Sequence, residues 1–325
     1  MRRREFITLL AGTAAVWPRA ARAQQSTMPV IGFLNSATPN SYARQLSAFR
    51  QGLSETGYVE GHNVAVEVRW AENQYDRLPG LAADLVRRQV AVIAANNPAA
   101  LPAKAATATI PIVFTVGLDP VAMGLVESLN HPGGNATGVT SLNVEMGPKR
   151  LDVLREAVPT ATTIALLINP ANPNAGTMSN ELQAAAQTRG LQLHVLHAST
   201  ERDLDAVFAS LVEVRAGALL ILTDPLFIGL SDELAALALR HMVPTIFQYR
   251  EFVAAGGLMS YGGNVSDQFQ QVGVYTGRIL NGEKPADLPV QQVTKVELII
   301  NLKTAKTLGL TIPLTLLGRA DEIIE

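Results

Sequence analysis

Four junctions in this chain place polar side chains where hydrogen-bonding chemistry is available: Asn96-Asn97-Pro98, Thr115 leading to Asp119-Pro120, Asn169-Pro170 with Asn172 close behind, and Thr223-Asp224-Pro225. At each, an apolar run ends in polar residues and then in proline, which is pre-set for a turn or a first helical position. Amides, hydroxyls and carboxylates in this arrangement suit recognition of a small molecule. An apolar run of this kind reads as a buried parallel strand, and in an open α/β sheet the carboxyl ends of such strands line one crevice. Two junctions fall in each half of the chain, so the pattern predicts two similar lobes facing each other across a cleft.

Asn97 carries the strongest case for ligand contact. It follows a buried strand and precedes a predicted helix at Ala99-Ala100, whose free first-turn amides would favour a carboxylate or another anionic group. Simple N-capping is the alternative. For Asp119 and Asp224, helix capping and ligand contact are both open, because each precedes a proline at a predicted helix start. Asn35, Ser36, Asn96, Thr115, Asn169, Asn172 and Thr223 occupy equivalent strand ends. Phe247, Tyr249 and Tyr261 could supply an apolar wall or a phenolic hydrogen bond, or belong to the core.

Motifs for bond-making chemistry are missing from the sequence. It contains neither a G-x-G-x-x-G dinucleotide fingerprint nor a phosphate-binding P-loop. Ser260 lacks the first glycine of a nucleophile elbow. His194 and His197 sit three apart on a predicted strand, where side chains alternate between faces, so they are not expected to share a metal ion. No catalytic residue, metal or cofactor is expected.

The elements that must position these residues alternate along the chain. Strands are predicted at 29–34, 64–68, 90–95, 110–115 and 138–141, then at 163–168, 191–197, 218–222, 244–247 and 258–261. Tyr42, Leu46, Phe49 and Leu53 recur at helical spacing, and a helix is expected to open near Asp119. Further helices are predicted at 81–88, 149–157, 180–188, 201–215, 231–241 and 267–280. Alternation of this kind predicts doubly wound α/β sheets. The glycine pairs around Leu258–Tyr261, like the region 142–149, read as segments that cross between lobes.

Arg2-Arg3-Arg4-Glu5-Phe6, an apolar stretch of about ten residues and Ala21-Arg22-Ala23 form an export signal over residues 1–23, too short for a membrane span of roughly 20. The paired arginines followed by Phe6 fit the twin-arginine route, with Sec export as the alternative. With no cysteine in the chain, lipid anchoring is not expected, and the mature protein is placed in the periplasm. The whole chain carries −2 and the signal +4, leaving −6 on the mature part. That balance disfavours nucleic acid and anionic membrane as partners.

Several segments resemble one family across nearly the whole mature chain: FRQGL at 49–53, GYVEGHNV at 57–64, ATATIPIVF at 106–114, DPV at 119–121 and HPGGNATGV at 131–139. GGLMSYG at 256–262, ILNGEKPADLPV at 279–290 and NLKTAKTLGLTIP at 301–313 resemble it as well. The family is that of the ABC transporter substrate-binding proteins, which includes the tryptophan-binding lipoproteins of Gram-positive bacteria. The resemblance implies a type I periplasmic-binding-protein fold, with two Rossmann-like lobes of parallel, doubly wound sheet, three hinge crossovers and a ligand enclosed by closure. It departs from the family at Asn97-Pro98, where members usually carry Thr-Pro, and at Gly117-Leu118.

On this reading residues 28–142 and about 262–290 form one lobe and 143–261 the other, with the lobe of 291–325 open. The protein is expected to be a monomer that captures an amino acid or related carboxylate and hands it to ABC permease subunits driven by a cytoplasmic ATPase. A sensory module of the same fold and an exported enzyme are the alternatives. Export supplies the first test. Replacing Arg3 and Arg4 with Lys is expected to trap precursor in the cytoplasm, and N-terminal sequencing of wild-type protein is expected to begin at Gln24; normal periplasmic yield from the double variant would leave Sec.

Overall fold

The computed structural model describes residues 28–141 and 146–325, so the proposed export signal and part of the 142–149 crossover lie outside the described residues. In chain order the strands are β1 Val30–Asn35, β2 Ala65–Trp70, β3 Val92–Asn96, β4 Ile112–Val116, β5 Ala136–Thr140, β6 Thr163–Ile168, β7 Gln192–His197, β8 Ala218–Ile221, β9 Thr245–Phe247, β10 Met259–Gly262, β11 Gln291–Gln292, β12 Glu297–Asn301 and β13 Glu322–Ile324. They form two sheets, ordered β2-β1-β3-β4-β5-β11 and β7-β6-β8-β9-β10-β12-β13. Every residue of β3, β4, β5 and β8 is buried, as strands covered by helices on both faces require. Among the described residues the one antiparallel strand pairing is β10 with β12, in register Met259 to Ile300.

The chain passes between the sheets three times: after β5, at Gly263-Asn264 after β10, and between β11 and β12. The glycine-flanked segment at 256–263 is therefore not itself a crossing. Its strand, β10, lies inside the second sheet between β9 and β12, and the chain turns away only at its end. The segment 291–325 divides, with β11 on the first sheet and β12 and β13 on the second. No helix forms at Asp119. Residues 120–126 are a turn closed by the N–H groups of Leu125 and Val126 on the Pro120 carbonyl, and Gly124, at φ +72°, breaks any right-handed continuation. A helix does start at the proline after Asp224, Pro225–Gly229, while the short helices at Arg250–Ala254 and Leu314–Leu317 carry no signal in the sequence reading.

Helix Val265–Leu280 returns to the first lobe and lies against helix Ala43–Glu55. Asn264 starts it, its Oδ1 accepting from the Ser266 and Asp267 N–H groups at 2.9 and 3.3 Å. The two helices touch backbone to backbone through Gly52 and Gly273. A Cβ at Gly52 would run into the Gln270 carbonyl, and one at Gly273 into the Phe49 carbonyl. Phe49 and Leu53 from one helix and Phe269 and Val272 from the other share one buried cluster. Substitution Gly52→Val is expected to force these helices apart and destabilise the fold by about 1–3 kcal/mol or more. Thermal and urea unfolding read this directly, and unchanged transitions would contradict the packing.

Candidate functional site

The carboxyl ends of strands from both sheets converge on one cavity between the lobes, of about 50 Å³. The first lobe contributes Asn96 and Asn97 after β3 and Thr115 to Leu118 at the end of β4. The second contributes Asn172, Met178, Thr223, Pro225 and Tyr249. Tyr42 and the first turn of helix Val265–Leu280, with Val265, Gln268 and Phe269, complete the wall. Tyr42 and Phe269 meet edge to face, with ring centroids 5.9 Å apart. The lining is thus aromatic and aliphatic, with neutral amides and hydroxyls set into it.

Behind this wall lies the buried carboxylate of Asp224. Its Oδ1 accepts from the Leu226 N–H at 2.9 Å, the Tyr75 hydroxyl at 2.9 Å and Asn169 Nδ2 at 3.1 Å, while Oδ2 accepts from Asn172 Nδ2 at 2.7 Å. Asp224 therefore does cap a helix, Pro225–Gly229, through the Leu226 N–H. Tyr75 follows β2 in the first lobe, so its bond to Asp224 joins the lobes. Burial pushes the Asp224 carboxyl above its ordinary pKa, with the hydrogen bonds from Asn172, Asn169, Leu226 and Tyr75 pulling it back. A folded value above the unfolded one means that this group adds stability as the pH falls through its folded pKa towards about 4. Burial and then Asp224 also raise the Tyr75 hydroxyl, which stays a donor.

A second bond joins the lobes at Asn97, whose Oδ1 accepts from Asn174 Nδ2 at 3.1 Å. Asn97 does not cap a helix. The Asn97-Pro98 peptide is cis, and the following helix, Ala100–Ala106, starts after Ala99 without a side-chain cap. Asn96 and Ser36 instead pin two strand ends together. Asn96 Oδ1 accepts from the Ser36 N–H at 3.0 Å, and its Nδ2 donates to Ser36 Oγ at 2.9 Å.

The residues singled out from the sequence divide accordingly. Asn96, Asn97, Thr115, Asn172, Thr223 and Tyr249 line the cavity. Asn35, Ser36, Asn169 and Asp224 are buried away from that lining, Asn35 and Asn169 each turning the backbone through an Oδ1 bond to the N–H two residues on. Phe247 is fully buried against Phe252 and Tyr249, because strand parity sends it into the core. Asp119 is exposed and its Oδ1 accepts from the Val121 N–H at 2.9 Å, so it shapes the turn outside the cavity. Tyr261 lines a separate groove with Asp152 and Arg319, and its carbonyl accepts from Arg150 Nε at 2.8 Å.

Tyr42, Met178, Gln268 and Phe269 were not anticipated as site residues. In the sequence Tyr42 shows only the spacing of a helix face. Gln268 and Phe269 reach the cavity because their helix comes back from the other lobe, a fact with no local sequence signal.

The match to known proteins follows this geometry. The family model for ABC transporter substrate binding protein covers residues 31–324. The chain belongs to that family. It is 27% identical to the Tyrosine-binding protein of Clostridioides difficile over 282 residues, 86% of this chain and 81% of that one. The crystal structure of an ABC domain in complex with L-Trp from Streptococcus pneumonia superposes with TM-score 0.81 at 24% identity, covering 92% of this chain and all of the other. A ligand-free, open substrate binding protein with adhesive properties from Clostridium difficile gives only 0.62 at 26% identity, covering 91% and 99%. In this chain side-chain hydrogen bonds from Tyr75 to Asp224 and from Asn174 to Asn97 hold the two lobes together across the cleft. Removing one of those bonds, with Tyr75→Phe, is expected to cost closure about 1.5–3 kcal/mol, the range for a hydrogen bond to a charged group. Small-angle scattering of ligand-free protein should then show a larger radius of gyration than wild type; an unchanged radius would mean that this bond does not hold the lobes.

Proposed function

We propose that this substrate-binding protein captures an amino acid or related small carboxylate with an apolar or aromatic side group, and delivers it outside the cytoplasmic membrane to permease subunits of an ABC importer. The observation that carries the reading is the cavity walled by strand ends of both lobes. A ligand seated there touches both lobes at once and so favours closure, and reopening releases it. Tyr42, Tyr249 and Phe269 offer ring faces and edges to an apolar or aromatic group. Neutral amides and hydroxyls around them supply placed hydrogen bonds, which set orientation in an otherwise apolar pocket. Relatives named for tyrosine binding or solved with L-Trp support this class of solute.

No helix among the described residues is long and apolar enough to cross a membrane. On the proposed reading the export signal at residues 1–23 carries the chain across the membrane, and the two lobes work as a monomer in the periplasm.

A thermal-shift panel of the proteinogenic amino acids and small aromatic and aliphatic carboxylates tests the class. A ligand at 100 times its dissociation constant adds about 2.7 kcal/mol, and scattering with the same compound is expected to show no expansion beyond the closed state. A panel in which no acid raises the melting temperature would reject the proposed solute class.

A further inference from the structure

We infer that Gln268 is the residue that orients the solute, donating its side-chain N–H to an acceptor oxygen of the ligand, with Thr115 holding the amide in that sense. The inference rests on the reading of the cleft as a site for a small acid, and it names the group that reads the acid.

Gln268 lines the cavity and is only 3% exposed. Its Oε1 accepts from the Thr115 hydroxyl at 3.1 Å, which spends the acceptor end of the amide on the protein. Its Nε2 has no hydrogen-bond partner. A buried donor without a partner is costly, so native structures rarely leave one unless something else completes it. Two other amides of the lining are already engaged. Asn96 is committed to Ser36 and Asn172 to Asp224 and Asn174. The start of helix Val265–Leu280 is capped by Asn264, so the helix offers the cavity the Gln268 side chain rather than free first-turn amides.

The donor also sits at a place that matters for closure. Gln268 lies one turn beyond the Gly263-Asn264 crossing, on the helix that Gly52 and Gly273 lock to the first lobe. Its partner Thr115 is at the end of β4, in the same lobe. The amide is therefore pre-set before the second lobe arrives, and the orientation of the solute is decided by the first lobe. A carboxylate or carbonyl oxygen satisfies Nε2. An ammonium at that position meets a donor with a donor and is rejected, since a site built to hydrogen-bond one group excludes its complement.

The test uses calorimetric titration of mature protein with L-tyrosine, L-tryptophan and 3-phenylpropionate, against tyramine and tryptamine, which keep the ring and lose the acid. Wild type is expected to bind at least one acid at least tenfold tighter than either amine. Gln268→Met should weaken that acid tenfold or more, Gln268→Glu should weaken it further by placing a carboxylate against it, and Thr115→Val, which leaves Gln268 in place but frees its amide, should weaken it several-fold. Ligand-free melting temperature identifies variants that fail to fold, and Thr115→Val carries the test if Gln268→Met does. Acid affinity within twofold of wild type in folded Gln268→Met, or Gln268→Glu binding the acid as tightly as Gln268→Met, would overturn the inference while leaving the acid reading intact. Amine binding as tight as acid binding would also overturn it. Failure of wild type to bind any of the three acids would overturn the acid reading and this inference with it.

Discussion

A carboxylate removed from water must be met by donors on every side, and Asp224 is such a carboxylate, 1% exposed at the boundary between two lobes. Three of its donors come from its own lobe: the amides of Asn169 and Asn172 and the Leu226 N–H. The fourth, the Tyr75 hydroxyl, comes from the other lobe. The closed arrangement and the satisfaction of this charge are thus one structural fact. Strand ends of both sheets are brought to the same cavity by the contact that completes the carboxylate's hydrogen bonds, and the second contact across the cleft, between Asn97 and Asn174, acts in the same direction. Neither bond is of the kind that locks a protein permanently, because exposure of these groups to water on opening replaces each lost hydrogen bond with another.

Opening and closing also require that each lobe remain rigid while the links between them bend. The first lobe is held by a contact between residues far apart in sequence, the glycine-mediated approach of helices Ala43–Glu55 and Val265–Leu280. That contact turns a segment arriving from the second sheet into part of the first lobe's body. It also delivers Gln268 and Phe269 to the cavity wall. The second lobe is rigid for another reason: the C-terminal segment adds β12 and β13 beside β10, so that the chain's last strands cover what would otherwise be a sheet edge. Three crossings are left as the covalent connection between two stiff bodies, which is the geometry of hinge closure.

Much of this was readable in the chain itself. Strand β6 occupies the residues its apolar run predicted, 163–168, because an unbroken run between polar boundaries has no alternative register in a sheet buried on both faces. The family resemblance and the two-lobed α/β fold agree with the family match and with the two sheets. Errors fell where short-range geometry outweighs pattern. The proline after Asp119 begins a turn that Gly124 ends, whereas the proline after Asp224 begins a helix, although the dipeptides are identical. Phe247 and Tyr249 are two residues apart, yet only Tyr249 lies beyond the strand and reaches the cavity.

Hydrophobic runs ending in polar residues and proline determined, without further information, that strands would stop at a common crevice and that the crevice would carry hydrogen-bonding groups. Burial of apolar surface sets that pattern, and burial is a property each run carries locally. Which polar group faces the ligand and which is spent on the protein was decided only by the tertiary structure. Asn96 is tied to Ser36 across 60 residues and Thr115 to Gln268 across 153. Such partners meet only when the whole chain has folded, and no residue's type or spacing records in advance which of its hydrogen bonds the fold will leave unmade.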